Sequence, residues 1–94
     1  MILLVRHRVR DFGTWKPVFD QEGSIIRVRH GATRHWLYRS LDDPNDIVVS
    51  IEFPTEEGAR SFVADPSLEE EMGRAGVQGQ PTLTFCEEVE AVSY

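Results

Sequence analysis

The segment Asp42-Asp43-Pro44-Asn45 is the feature that most constrains how this chain can fold. Proline favours the corner of a tight turn, and Asp and Asn side chains bond to nearby backbone amides, so the segment predicts a turn. Apolar and polar residues alternate on both sides of it, over about Thr33–Leu41 and Asp46–Phe53. That period is typical of strands, so the sequence predicts a β-hairpin.

The hairpin also predicts a register, which starts with Leu41 opposite Asp46. Counting back from this pair places Tyr38 opposite Val49, Trp36 opposite Ile51 and Arg34 opposite Phe53. Because side chains alternate between the two faces of a strand, Arg34, Trp36 and Tyr38 are expected on one face. The same face would carry Ile47, Val49, Ile51 and Phe53. A slip of one residue would move every side chain of the strand to the opposite face.

Three further elements are predicted around the hairpin. Residues Ile2–Val9 alternate as a strand. Thr14 is the expected N-cap of a first helix that stops at Gly31, since Pro17 would then lie in its first turn. Thr55 caps a second helix, which Asp65-Pro66 ends.

The rest of the chain predicts a short helix, a loop and a last strand. Ser67 and Glu70 have the spacing of a capping box for the short helix, and the run Glu69-Glu70-Glu71 is expected to be a solvated helix face. Residues Gly73–Pro81 contain three glycines and a proline and predict a loop. The final strand covers about Thr82–Ala91. The order of elements predicts an α+β fold, β-α-β-β-α-β with an antiparallel sheet, in a single domain over residues 1–94.

The size of the chain favours self-association. Ninety-four residues bury a small core, and chains of this size often need disulfides, a metal or a partner subunit for stability. Cys86 is the only cysteine, so no internal disulfide can form. The three histidines show no metal-ligand spacing, and no metal or cofactor is expected. These observations predict a homodimer.

Charge and hydropathy restrict the partners. The net charge of −6 argues against nucleic acid. The apolar start is only five residues long before Arg6, too short for a secretory signal or a membrane span. A single free cysteine fits a reducing compartment. The sequence therefore predicts a cytoplasmic protein without a membrane partner.

Several segments resemble the dimeric α/β-barrel superfamily, which includes antibiotic biosynthesis monooxygenase-like proteins, small polyketide cyclases and haem-degrading enzymes. These segments are His7–Lys16, the Asp42–Asn45 hairpin, Phe53-Pro54-Thr55-Glu56-Glu57 and Ala75-Gly76-Val77. The resemblance implies a ferredoxin-like sheet with helices on one face, whose other face closes a barrel with a second copy. It also implies that His7 points into the barrel with Val5 and Val9.

The candidate site residues follow from this resemblance and from the hairpin register. His7 titrates near neutrality and is the candidate general acid or base. Arg34 and Tyr38 are candidates to stabilise an enolate or phenolate, with Trp36, Phe53, Phe85 and Glu87 binding substrate. Each has a plain structural alternative: a hydrogen-bonded barrel histidine, a dimer core or a charge at the barrel mouth. Cys86 is expected on the helix side, where it has no role.

Two functions remain open at this point. The chain contains no glycine-rich phosphate loop and no nucleophile elbow. The haem-degrading branch of the superfamily needs a particular set of His, Trp and Asn, and the only asparagine here, Asn45, lies in the hairpin turn, so that branch is a poor fit. One function is a small-molecule-binding dimer, which as an enzyme would be a cofactor-independent monooxygenase or cyclase for an aromatic or polyketide-like substrate. The other is a non-catalytic dimeric module with a filled barrel. A barrel that holds a cavity of roughly 300 Å³ or more would favour the first function, and a filled barrel would favour the second.

Overall fold

A four-stranded antiparallel sheet with three helices forms the structure, a computed structural model that describes residues 1–94. The elements are β1 (Ile2–Val9), α1 (Phe12–Arg29), β2 (Arg34–Arg39), β3 (Asp46–Glu52), α2 (Glu56–Ala64), α3 (Pro66–Ala75) and β4 (Val77–Cys86). The strands lie in the order β2-β3-β1-β4. This confirms the predicted α+β fold with a ferredoxin-like arrangement. None of the helices is both long and apolar enough to cross a membrane.

The first helix begins earlier than predicted. Asp11, not Thr14, is the N-cap: its carboxylate accepts hydrogen bonds from the Thr14 backbone N–H and from the Thr14 hydroxyl, both at 2.9 Å. Thr14 as N-cap is therefore wrong, and Pro17 lies inside the helix. The expected stop is confirmed, because the helix ends at Arg29 and Gly31 takes a φ of 90°.

The connection from α3 to β4 is shorter than predicted. Asp65 caps α3 by accepting from the Ser67 backbone N–H, so the Ser67–Glu70 capping box is wrong. The expected loop over Gly73–Pro81 is also wrong: α3 continues to Ala75, and Gly76 at a φ of 87° turns the chain directly into β4. A single left-handed glycine suffices for that turn. The strand ends at Cys86, which leaves Glu87 exposed beyond it.

The hairpin register differs from the prediction by one residue. Arg34 pairs with Glu52, Trp36 with Ser50 and Tyr38 with Val48. The tight turn spans Asp43 to Asp46, and the Asp46 backbone N–H donates to the Asp43 carbonyl oxygen at 3.1 Å. Pro44 thus takes the first corner of the turn, which is its favoured position. The turn starts one residue later than predicted, and every side chain of β2 changes face.

The helices cover the sheet face that the sequence analysis assigned to the barrel. Leu3, Val5, His7 and Val9 of β1 are buried under them with Ile47, Val49 and Ile51 of β3. Placing His7 in the barrel is therefore wrong, and so is placing Cys86 on the helix side, since Cys86 pairs with Ile2 on the opposite face. The reason is that the continuous apolar face is the one that the helices bury.

The face without helices, called the open face below, carries a mixture of apolar and charged side chains. Leu4, Trp36, Val48 and Tyr38 lie on it, and the Tyr38 side chain is 56 % exposed. Arg6 of this face donates two hydrogen bonds to Asp46. Nothing within the chain covers this face.

Candidate functional site

A small cavity lies between the sheet and the helices. Its volume is about 40 Å³, and most of its walls are apolar. Val5, Val49, Ile51 and Leu83 line it from the sheet, and Trp15, Phe19, Phe62, Leu68 and Met72 line it from the helices. Three ionisable side chains complete the lining: His7, Arg27 and Glu71. The cavity is therefore apolar, with a few polar groups converging on it, as ligand sites usually are.

His7 is positioned for this cavity by β1. Its side chain is 8 % exposed, and its ring packs edge-on to Trp15 with centroids 5.7 Å apart. The buried Nδ1 has no hydrogen-bond partner. Burial lowers the pKa of His7, with a smaller opposing effect from Asp46, so the ring is neutral at pH 7 and can accept a proton. An unpaired polar atom in such a place calls for an explanation, and a bound ligand would supply one.

The strand next to His7 is irregular. The register of β1 with β4 shifts between Arg6 and Arg8: Arg6 pairs with Thr82, but Arg8 pairs with Gln78. The bulge contains Gly79, at a φ of 71°, and Pro81. Bulges of this kind are common beside active sites, where they redirect side chains or interrupt pairing.

A groove on the surface adjoins the cavity. It has a volume of about 370 Å³ and lies between α3 and the bulged part of β4. Leu68, Met72 and Leu83 line both spaces and separate them. Met72 is partly buried and unbranched, with three rotatable bonds, so it can change rotamer easily. The groove is large enough for a small molecule and shares three lining residues with the cavity. A second surface pocket of about 270 Å³ is lined by His7 and by polar side chains only.

The other predicted site residues do not join His7. Arg34, Trp36 and Tyr38 lie on the open face, where the Arg34 guanidinium stacks over Trp36 at 4.5 Å and pairs with Glu52 at 3.5 Å. The predicted convergence of Arg34 and Tyr38 with His7 is therefore wrong, because the one-residue slip puts the sheet between them.

The remaining predicted residues lie outside the cavity. Phe53 is fully buried against Phe62, and Phe85 lies under the guanidinium of Arg60. Neither lines the cavity, and Glu87 is beyond the end of β4. No group of three or more His, Cys, Asp or Glu side chains is arranged to hold a metal ion.

Sequence reasoning missed Arg27 and Glu71. The Glu69–Glu71 run was expected to be solvated, and this is wrong for Glu71, whose side chain is 4 % exposed. Leu68, Glu71, Met72 and Ala75 have the i, i+3, i+4, i+7 spacing of one helix face, and Phe19, Gly23 and Arg27 have the i, i+4, i+8 spacing. This helical periodicity was the signal that could have identified both residues. It places Glu71 on a face that is otherwise apolar, and it places Arg27 on a face with Phe19 and Gly23.

Comparison with known proteins supports the fold. No protein-family model matches the chain, and no curated protein matches it in sequence. Among solved structures, SnoaB from Streptomyces nogalater, a cofactor-independent oxygenase, superposes with a TM-score of 0.70 at 20 % identity, covering 94 % of this chain and 93 % of that one. A Bordetella bronchiseptica protein proposed to be an antibiotic biosynthesis monooxygenase gives a TM-score of 0.77 at 13 % identity, covering 95 % and 96 %.

A third solved structure agrees. Rv0793 from Mycobacterium tuberculosis superposes with a TM-score of 0.70 at 14 % identity, covering 98 % of this chain and 97 % of that one. At these identities the likeness concerns the backbone architecture, which extends over nearly the whole of each chain. The chain therefore has the fold of the antibiotic biosynthesis monooxygenase-like proteins.

Proposed function

We propose that this protein binds a small aromatic or polyketide-like molecule between the sheet and the helices and acts on it as a cofactor-independent monooxygenase or cyclase. The observation that carries the proposal is His7, which is buried, neutral and unpartnered at Nδ1 on an apolar cavity. The oxygenase activity of SnoaB, which has the same fold, supports the same reaction class.

In this proposal His7 is the general base. Removing a proton from a phenol or an activated carbon leaves an electron-rich anion, which is the species that can react with oxygen directly or close a ring. The apolar walls exclude water and strengthen the electrostatic interactions of that anion. The groove between α3 and β4 would admit the molecule, with Met72 moving aside.

Replacing His7 with phenylalanine tests this role. The variant keeps the ring and removes both nitrogens, so we expect oxygen uptake with a panel of hydroxynaphthalenes and hydroxyanthrones to fall by about 10²-fold or more. The matched control is His35→Phe, since His35 packs edge-on to Phe19 but does not line the cavity. Equal rates for the two variants would rule out His7 as the base.

We also propose that the chain is a homodimer joined through the open face. That face carries Leu4, Trp36, Val48 and Tyr38 among its charged side chains without a covering element, and apolar patches rimmed by polar residues mark interaction surfaces. In such a dimer, Arg34, Trp36 and Tyr38 would be interface residues.

Replacing Leu4 with arginine tests the dimer. A charge at the centre of the open face should prevent the two sheets from packing, so light scattering at micromolar concentration should report a mass near 10.7 kDa for the variant and twice that for the native chain. Leu41→Arg is the control: Leu41 is fully exposed in the hairpin loop, so this variant should remain dimeric. A native mass of 10.7 kDa would refute the proposal.

A second candidate function is a non-catalytic dimeric module. The volume of the internal cavity favours it, since about 40 Å³ is far below the 300 Å³ or more of typical ligand sites. A dimer that binds none of the aromatic probes would support this candidate over catalysis.

A further inference from the structure

Two charged side chains from different helices approach each other at one side of the cavity. Arg27 of α1 is 7 % exposed and Glu71 of α3 is 4 % exposed. Both lie beside Gly23: a Cβ at that position would be 2.8 Å from Arg27 Nη1 and 3.3 Å from Glu71 Oε1. The missing side chain at Gly23 therefore leaves the space in which the two charged groups lie.

Arg27 is held in place without using Glu71. Its Nη2 donates a hydrogen bond of 2.9 Å to the Phe19 carbonyl oxygen, and its guanidinium lies 3.9 Å above the Phe19 ring. No ion pair joins Arg27 to Glu71. A guanidinium has five N–H donors, so several remain free for another acceptor.

Glu71 is a largely buried carboxyl group that forms no ion pair. Its oxygens are not completely enclosed, since His7 Nδ1 is the only fully buried side-chain polar atom without a partner. Buried carboxylates that serve only stability are normally paired, because an unpaired one carries a large desolvation cost. The positive charge of Arg27 and, to a smaller extent, that of Arg74 oppose this cost, while Glu22, which pairs with Arg74 at the surface, adds to it. Desolvation prevails and raises the pKa of Glu71 to about 7. The group can therefore release or accept a proton near neutral pH.

The cavity alone is too small for an aromatic ring, but the groove is large enough. Leu68 and Met72 of α3 lie between the two spaces and flank Glu71 in sequence. A ring in the groove that displaces Met72 would direct a substituent into the cavity, which Arg27, Glu71 and His7 all line. The substituent would reach one strong cation and one proton acceptor.

We propose that Arg27 and Glu71 recognise an acidic hydroxyl group, so that the ligand is a phenol or an enol. The Glu71 carboxylate takes the hydroxyl proton: the ligand O–H bond breaks, its electron pair stays on the ligand oxygen, and a new O–H bond forms on Glu71. Arg27 stabilises the resulting oxyanion through its free N–H groups. This inference rests on the proposed function, since it requires a small molecule at the same site. It assigns the hydroxyl proton to Glu71, so that His7 is the base for the proton on an activated carbon.

The test compares two probes that differ by one hydroxyl group, para-nitrophenol and nitrobenzene, by calorimetry at pH 8 in two buffers of different ionisation enthalpy. The free probe and Glu71 are both largely ionised at this pH. We expect the native chain to take up about one proton per para-nitrophenol bound, because Glu71 must be protonated beside the bound phenolate. The bound probe should keep the visible absorption of its phenolate. Nitrobenzene should bind without proton uptake.

Three variants separate the roles. Glu71→Gln should abolish the proton uptake, whereas Glu70→Gln, on the exposed side of the same helix, should retain it. Arg27→Met should weaken para-nitrophenol binding at least about tenfold and leave nitrobenzene binding unchanged. Arg27→Lys, which keeps the charge without the fork of donors, should lie between the two. Thermal melting of each variant verifies that it is folded.

The outcomes distinguish this inference from the proposed function. Equal affinity for both probes, uptake that persists in Glu71→Gln, or loss of the phenolate colour on binding would each overturn the roles of Arg27 and Glu71 while leaving a small-molecule site in place. If the native chain binds neither probe, the cavity does not admit an aromatic ring, and the proposed function fails together with this inference.

Discussion

Replacing Trp15 with alanine is expected to lower the free energy of unfolding by about 3–5 kcal/mol. Trp15 is 1 % exposed and connects the first helix to the sheet. Its ring stacks on Phe19 with centroids 4.6 Å apart and contacts Phe12 and His7. Truncation removes these contacts and leaves an enlarged cavity beside His7. Urea unfolding followed by circular dichroism measures the loss.

The matched control is Trp36→Ala, the same substitution on the open face. Both are best measured in the Leu4→Arg background, so that dimer dissociation does not contribute. There Trp36→Ala should cost less than about 1 kcal/mol, since the side chain is only partly buried. The Trp15→Ala variant should also bind nitrobenzene more tightly than the parent, because apolar cavities of sufficient size bind such molecules. Similar losses for both variants would contradict the placement of Trp15 in the core.

The sequence predicted those parts of the fold that depend on local patterns. Alternation along β1 predicted that strand with its correct bounds, and Gly31 was correctly identified as the stop of the first helix, although the helix begins at Phe12 rather than after Thr14. Thr55 was correctly identified as a cap, and its hydroxyl accepts from the Gly58 backbone N–H at 3.1 Å. These features depend on neighbours within a few residues, so local rules suffice for them.

The hairpin register failed because it depended on one choice of turn position. The segment Asp42–Asn45 was correctly recognised as a turn, but the register was counted from Leu41 opposite Asp46, which is one residue away from the observed pairing. Asn45 also makes contacts that no local rule includes: its side-chain oxygen accepts from the Phe12 backbone N–H, and its carbonyl oxygen accepts from Val9. These long-range bonds hold the turn against the start of α1, and the shift of one residue exchanged the faces of β2.

The candidate site was predicted only in part for a related reason. His7 was identified as a site residue but was placed on the wrong side of the sheet. The alternation along β1 does not by itself indicate which of the two faces the helices cover. Comparison of the two faces would have decided it: Leu3, Val5 and Val9 are uniformly apolar beside His7, whereas Ile2 and Leu4 share their face with Arg6 and Arg8. Glu71 was missed because the charge of the Glu69–Glu71 run was taken as evidence of exposure, against the helical periodicity of its neighbours, and Arg27 was not considered as a site residue.

Replacing Glu71 with glutamine is expected to stabilise the protein at alkaline pH. Burial raises the pKa of Glu71 to about 7 in the folded state, against 4.5 for the unperturbed group. Between these pH values the folded chain keeps a proton that the unfolded chain has lost, so the free energy of unfolding falls as pH rises from 4.5 to 7. Glutamine cannot ionise, so the variant should gain about 3 kcal/mol over the native chain at pH 8 and show no gain from this effect below pH 4.

The measurement is urea unfolding of both proteins at pH 4, 6 and 8. The pKa of His7 is lowered by burial, which makes stability rise with pH up to the usual value near 6.5, but this contribution is present in both proteins and cancels in the difference. Glu70→Gln, one residue away on the exposed side of α3, should give no such pH-dependent gain. A constant difference between Glu71→Gln and the native chain across this range would mean that the pKa of Glu71 is the same in the folded and unfolded states. Glu71 would then be fully ionised at pH 8 and could not hold a ligand proton there, which would contradict its proposed role.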